Sequence, residues 1–140
     1  MDLTGDTLWL IDKSAFARLS VSPDHDVWAN RIERGLVRIS TVTLLEIGYS
    51  ARTATDLKHQ LTLPPIAAMP IEYSTPAAEA RAIEVMGALA TRGQHRGPSI
   101  PDLLIAAIAE HSRLTVLHLD KDYELIAQIT HQPTEQIRTH

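Results

Sequence analysis

Five carboxylates sit where a sequence of this pattern would place working groups: Asp12, Glu46, Asp102, Asp120 and Asp122. Asp12 directly follows the apolar run Leu8-Trp9-Leu10-Ile11, Asp120 directly follows the run Leu114 to Leu119, and Asp122 lies two positions beyond it. Glu46 is the sole charged residue between Ile39 and Ala51, as Asp102 is between Gly97 and Ala109. A solvated helix face carries several charges, whereas a lone carboxylate in an apolar helix needs a partner or a cavity. Each acid taken singly also has a structural explanation. Asp102 can complement a helix dipole, and Asp12 and Asp120 can start loops as Asx residues. Independent capping acids, however, have no reason to collect at one edge of one sheet. Two carboxylates about 5 Å apart at an effective dielectric of about 20 repel by about 3 kcal/mol. No Lys or Arg of these segments is expected to neutralise the group, since Lys13 and Lys121 are sequence neighbours of acids at strand ends, where adjacent side chains diverge. A hard divalent cation, Mg²⁺ or Mn²⁺, resolves the repulsion through oxygen ligands. Carboxylate-held Mg²⁺ polarises a phosphoryl oxygen and orients a water for in-line attack, so phosphodiester hydrolysis is the chemistry expected.

The elements that must position these acids follow from periodicity. Strand-length apolar runs at Leu8 to Ile11, Val37 to Ser40, Ala67 to Glu72 and Leu114 to Leu119 alternate with helical patterns. Helices are expected from Ser14 to about Leu19, and from about Asp24 to Arg34 with Ser22 as cap, Pro23 in the first turn and Gly35 as the stop. Another runs to about Arg52 with Thr41 or Thr43 as cap, followed by a less regular helical segment to Pro64-Pro65. Further helices are expected from Pro76 to Arg92, capped by Thr75 and ended by Gly93, from Pro101 to near Ser112, and from Asp122 or Tyr123 to about Ile129. Residues 93–99 read as a flexible loop, and the polar tail from Gln132 to His140 as frayed, with a short strand possible around Gln136-Ile137. Strands joined by helices of this length call for right-handed crossovers and parallel pairing. The expected fold is a single-domain α/β protein, a three-layer α/β/α sandwich with a mainly parallel sheet and its site beyond the carboxyl ends of the strands.

Composition bounds the remaining classes. The chain has 140 residues and no cysteine, which excludes thiolate metal sites, thiol nucleophiles and disulfides, and it is long enough to bury a core without them. No stretch reads as a signal peptide or a membrane span, so a cytoplasmic protein is expected. The seven His show no paired metal-ligand spacing and read as surface or helix-end residues. A phosphoaspartate phosphatase would need a second Asp where Ser14 stands, and a receiver domain would need its Asp where Tyr73, Ser74 and Thr75 follow the third strand. Neither a phosphate-cradling Gly-rich loop nor a nucleophile elbow is present.

The segments Leu10-Ile11-Asp12-Lys13-Ser14-Ala15, Thr43-Leu44-Leu45-Glu46-Ile47, Pro101-Asp102-Leu103-Leu104-Ile105-Ala106-Ala107 and Leu117-His118-Leu119-Asp120-Lys121-Asp122-Tyr123 resemble, in order and spacing, the four motifs of PIN-domain ribonucleases, most specifically the VapC toxins of toxin–antitoxin pairs. The resemblance covers nearly the whole chain. It implies an Mg²⁺- or Mn²⁺-dependent endoribonuclease that dimerises and is silenced by a cognate antitoxin. Asp12, Glu46 and Asp102 would be the core metal-binding carboxylates, completed by Asp120 and Asp122, of which the sequence does not single out the direct ligand. Ser14 would orient a ligand or a water. Lys13 departs from the family, which more often has Thr or another small residue there.

Arg92, His95 and Arg96 precede Asp102 and are the candidate RNA contacts, whereas Arg31, Arg34 and Arg38 read as a solvated face or dimer rim. Aromatic residues are few and mostly in apolar contexts, which favours structured RNA over a long unstructured strand. Phe16, Leu19, Val27, Trp28 and Ile32 form an apolar surface that could seat the antitoxin or belong to the core. The competing class is a catalytically silent protein-binding module of the same fold. The net charge of −4 looks unsuited to nucleic acid, but setting aside the five site acids leaves 12 acids against 13 Lys and Arg.

Overall fold

The computed structural model describes residues 7–140. Five strands, β1 (Trp9–Ile11), β2 (Val37–Ser40), β3 (Ile71–Glu72), β4 (Thr115–His118) and β5 (Thr134–Gln136), form one sheet in the order β3-β2-β1-β4-β5. Every pairing is parallel, with Ile11 opposite Ile39 on one side and Leu117 on the other. Seven helices cross between them: α1 (Lys13–Phe16), α2 (His25–Glu33), α3 (Thr41–Tyr49), α4 (Ala54–Thr62), α5 (Pro76–Thr91), α6 (Ile100–Ser112) and α7 (Asp122–Thr130).

Alternation along the short strands sorts the core into two. Leu10 and Val116 face one way and pack with Ala82, Val85 and Leu89 of α5, Ile105 and Ile108 of α6, and Ile126 of α7. Trp9, Ile11, Val37, Ile39 and Leu117 face the other way and meet Ala15, Trp28 and Ile32, Ile47 of α3, and Ile66 and Met69. Strands buried on both faces are the mark of a parallel sheet between helical layers, so the three-layer expectation holds. The chain runs outward from β1 through β2 to β3, then returns to the opposite side of β1 for β4 and β5. That reversal opens a crevice at the carboxyl ends of β1 and β4.

Several boundaries differ from expectation, each for a local reason. The first helix stops at Phe16 and the chain continues as a 3-10 turn at Leu19–Val21, which ends where Ser22, preceding Pro23, is held extended. Ser22 caps no helix; its hydroxyl accepts the Asp24 N–H at 3.1 Å ahead of α2. The α3 cap is Ser40 rather than Thr41 or Thr43, its Oγ accepting the Thr43 N–H at 3.1 Å. Ala67 and Ala68 belong to a 3-10 turn (Ile66–Ala68), not to a strand, and only Ile71–Glu72 pairs, at the sheet edge where Pro70 needs no ladder donor. The tail is not frayed. β5 pairs with β4 over Thr134–Gln136, and Ile137 is 2% exposed within the second core. Among the described residues no helix is long and apolar enough to cross a membrane.

Candidate metal centre

Asp12, Glu46, Asp102, Asp120 and Asp122 line one cleft of about 530 Å³ at the crevice, together with Lys13, Ser14, Arg96, Gly97 and Ser99. Each acid arrives by a separate local device. Asp12 ends β1 and caps α1, its Oδ2 accepting the Ser14 N–H at 3.0 Å and the Ser14 Oγ–H at 2.5 Å. Its Oδ1 accepts the Tyr123 phenol at 2.8 Å. Glu46 projects from the middle of α3, and Asp102 stands in the first turn of α6 in a reciprocal capping box with Ser99. Asp120 follows β4, and its Oδ1 accepts the Asp122 N–H at 2.9 Å as α7 begins.

Burial and mutual repulsion mark the cleft. Asp12 is 4% exposed and Asp102 is 7% exposed. Asp102 is pushed up to about 6, first by burial and then by the charges of Asp12 and Asp120, against the hydrogen bonds from Ser99. Glu46 is raised by burial and by Asp12 and Asp102, with Lys13 opposing. Its Oε1 is buried and has no hydrogen-bond partner. Asp122 is raised by burial and by Asp120. One carboxylate oxygen each from Asp102, Asp120 and Asp122 lie within 4.8 Å of one another. An all-oxygen donor set with an orphaned acceptor and an excess of negative charge fits a hard divalent cation.

Two residues differ from their sequence reading, and a third acquires defined partners. Lys13 does not diverge from the acids; it lines the cleft, with Nζ donating to Ser50 Oγ at 2.7 Å. His118 is a buried residue, not a surface one, and its Nδ1 accepts the Asp120 N–H at 3.1 Å while burial lowers its pKa. Ser14 has a defined task in this geometry: besides donating to Asp12, its Oγ accepts the Leu119 N–H at 2.8 Å. Sequence reasoning missed Tyr123 as a site residue. The available signal was its place immediately after Asp122, in the first turn of the helix that starts at the cleft.

Of the loop residues, Arg96 lines the cleft with Gly97, whereas Arg92 and His95 are exposed outside it. Arg31 lies over the rings of Trp9 and Trp28, 4.6 and 4.5 Å from their centroids, and Arg38 pairs with Glu72. Trp28 and Ile32 are buried, yet they also floor a groove of about 620 Å³ with Leu19, His25, Pro64 and Pro65.

The PIN domain family matches residues 9–129, a span that includes all five acids. The chain belongs to the PIN-domain family. It is 59% identical over 135 residues to ribonuclease VapC2 of Mycobacterium tuberculosis (strain CDC 1551 / Oshkosh), covering 96% of this chain and 95% of that one. Ribonuclease VapC21 from the same strain is 41% identical over 133 residues, at 94% of each chain. Among solved structures, VapBC-5 of M. tuberculosis, a member of the VapBC family of toxin-antitoxin systems, is similar with a TM-score of 0.65 and 26% identity over 96% of this chain and 100% of that one. DNA-bound VapBC from Salmonella typhimurium shares the fold with a TM-score of 0.72 at 20% identity, covering 94% and 98%. The matched span thus covers the strands and helices that form the crevice.

Proposed function

We propose that this PIN-domain chain is a divalent-metal-dependent endoribonuclease and the toxin of a toxin–antitoxin pair. The observation that carries the reading is the convergence of five carboxylates from β1, α3, α6 and the β4–α7 junction in one cleft. Its relatives' names as ribonucleases support the reaction, and the VapBC structures support an antitoxin partner.

Asp12, Glu46 and Asp102 would hold Mg²⁺ or Mn²⁺, with Asp120 and Asp122 completing the set. The ion supplies positive charge that polarises a phosphoryl oxygen and orients an attacking water. The chain's own residues do the rest. Ser14 and Tyr123 fix Asp12. Ser99 holds Asp102 at the start of α6, where it binds a proton up to about pH 6 until a cation competes for its oxygens. Arg96 brings positive charge to the cleft wall for a phosphate flanking the cut, Arg92 extends that charge along the loop, and His95 offers ring nitrogens for hydrogen bonds beside it. The groove floored by Trp28 and Ile32 is the seat assigned to the antitoxin. The face bearing exposed Leu45, Tyr49 and Ile100 is assigned to a second copy of the chain.

Purified protein should cut structured RNA with Mg²⁺ or Mn²⁺ and stop with EDTA, and sequencing fragment 5′ ends should show discrete sites. Cleavage left unchanged in both Asp12→Asn and Asp102→Asn would overturn the reading, whereas a chain that cuts no RNA and binds no divalent metal but does bind a peptide partner would be the silent binding module.

A further inference from the structure

Tyr123 is 1% exposed, and its hydroxyl is directed at the acid cleft rather than at solvent. The ring packs at 5.1 Å against that of His118, which is itself pinned by the Asp120 N–H. Tyr123 therefore has little freedom to follow a moving partner. Its phenol donates to Asp12 Oδ1 at 2.8 Å while Ser14 donates twice to Oδ2, so both oxygens of this carboxylate are held by the protein, from opposite elements. An aromatic ring alone would fill the same core position. The hydroxyl is the part that packing does not explain.

We infer that Tyr123 is a positioning residue for the metal centre, its phenol locking Asp12 so that the carboxylate meets a cation through one oxygen and does not swing to chelate with two. The inference rests on the metal-binding reading given above. Mg²⁺ demands near-ideal octahedral geometry from single oxygens, whereas Ca²⁺ accepts bidentate carboxylates and flexible geometry. A locked Asp12 thus favours the smaller ion, and releasing one oxygen removes that preference.

The test is metal binding without RNA: Mn²⁺ titrated by electron paramagnetic resonance, with Mg²⁺ and Ca²⁺ as competitors, on the wild type and Tyr123→Phe. The variant should bind Mn²⁺ and Mg²⁺ at least five-fold more weakly and Ca²⁺ within two-fold of wild type. Unchanged Mg²⁺ affinity, or equal losses for Mg²⁺ and Ca²⁺ as a packing defect would give, overturns the inference while leaving the metal reading intact. A wild type that binds no divalent ion overturns both. A measurement that needs no variant uses 3-fluorotyrosine, since the chain has three tyrosines and Tyr49 and Tyr73 are exposed. The buried fluorine resonance should shift on adding Mg²⁺. A resonance that stays fixed at saturating Mg²⁺ overturns the inference even if Tyr123→Phe fails to fold.

Discussion

The Ser14 hydroxyl accepts the Leu119 N–H at 2.8 Å across 105 positions of sequence, tying the end of β1 to the end of β4 at the point where the acids gather. Because the same oxygen donates to Asp12, one side chain satisfies a backbone donor and orients a carboxylate. Ser14→Ala leaves the Leu119 N–H without its acceptor, which costs about 1–3 kcal/mol. Denaturant unfolding should show that loss and RNA cleavage should fall at least ten-fold, with Ser14→Thr restoring most of both. Stability unchanged in Ser14→Ala would refute this account.

Asp102 has its folded pKa raised to about 6, above that of an unfolded carboxylate. The folded state therefore binds the extra proton, and the contribution of this group to stability is fully present below the unfolded value, near pH 4, and is lost as pH rises through about 6. In metal-free protein, Asp102→Asn should match wild type near pH 4 and exceed it by about 1–2 kcal/mol above pH 7. Urea midpoints in EDTA at both pH values check the sign. Saturating Mg²⁺ should narrow the gap.

Ile137 anchors the C-terminal segment in the second core beside Leu117. Ile137→Ala should cost about 2–5 kcal/mol, the range for emptying a well-packed aliphatic site. Thermal unfolding of this variant distinguishes an integral β5 from a dispensable tail.

Leu45 and Tyr49 project from α3 into solvent, Tyr49 91% exposed, beside a recess of about 420 Å³ lined by Val42, Pro101 and Leu104. If this face joins two copies, Tyr49→Lys with Leu45→Lys should convert a dimer to a monomer in light-scattering chromatography. An unaltered mass would place the interface elsewhere.

Arg96 faces the acid cleft, whereas Arg92 does not line it. Arg96→Ala should raise KM for RNA several-fold and lower the slope of log affinity against log salt by about 0.7–0.9, the increment for one phosphate contact on single-stranded to duplex nucleic acid. Arg92→Ala should change either quantity less. Equal effects would mean that the loop acts through bulk charge alone.

Much of this molecule is legible in order along the chain. Asp12 and Asp120 could be located because each directly follows an apolar run, and Glu46 and Asp102 because each stands alone in an apolar helix. The parallel sheet follows from strands spaced by helices too long for hairpins. Local competition was harder to read: Ser40, at the end of β2, is also the α3 cap, and the run before Glu72 is broken by Pro70.

What the sequence by itself determined is the order of the elements and which acids are candidates for the site, because carboxylates isolated among apolar residues stand out locally. Only the tertiary structure decided which groups hold those ligands. Tyr123 reaches Asp12 across 111 positions and Ser14 reaches Leu119 across 105, and His118 is buried by the packing of α7 against β4. Such contacts depend on the register of β1 against β4 and on α7 starting at the crevice, so they arise from chain crossings that no residue's neighbours encode.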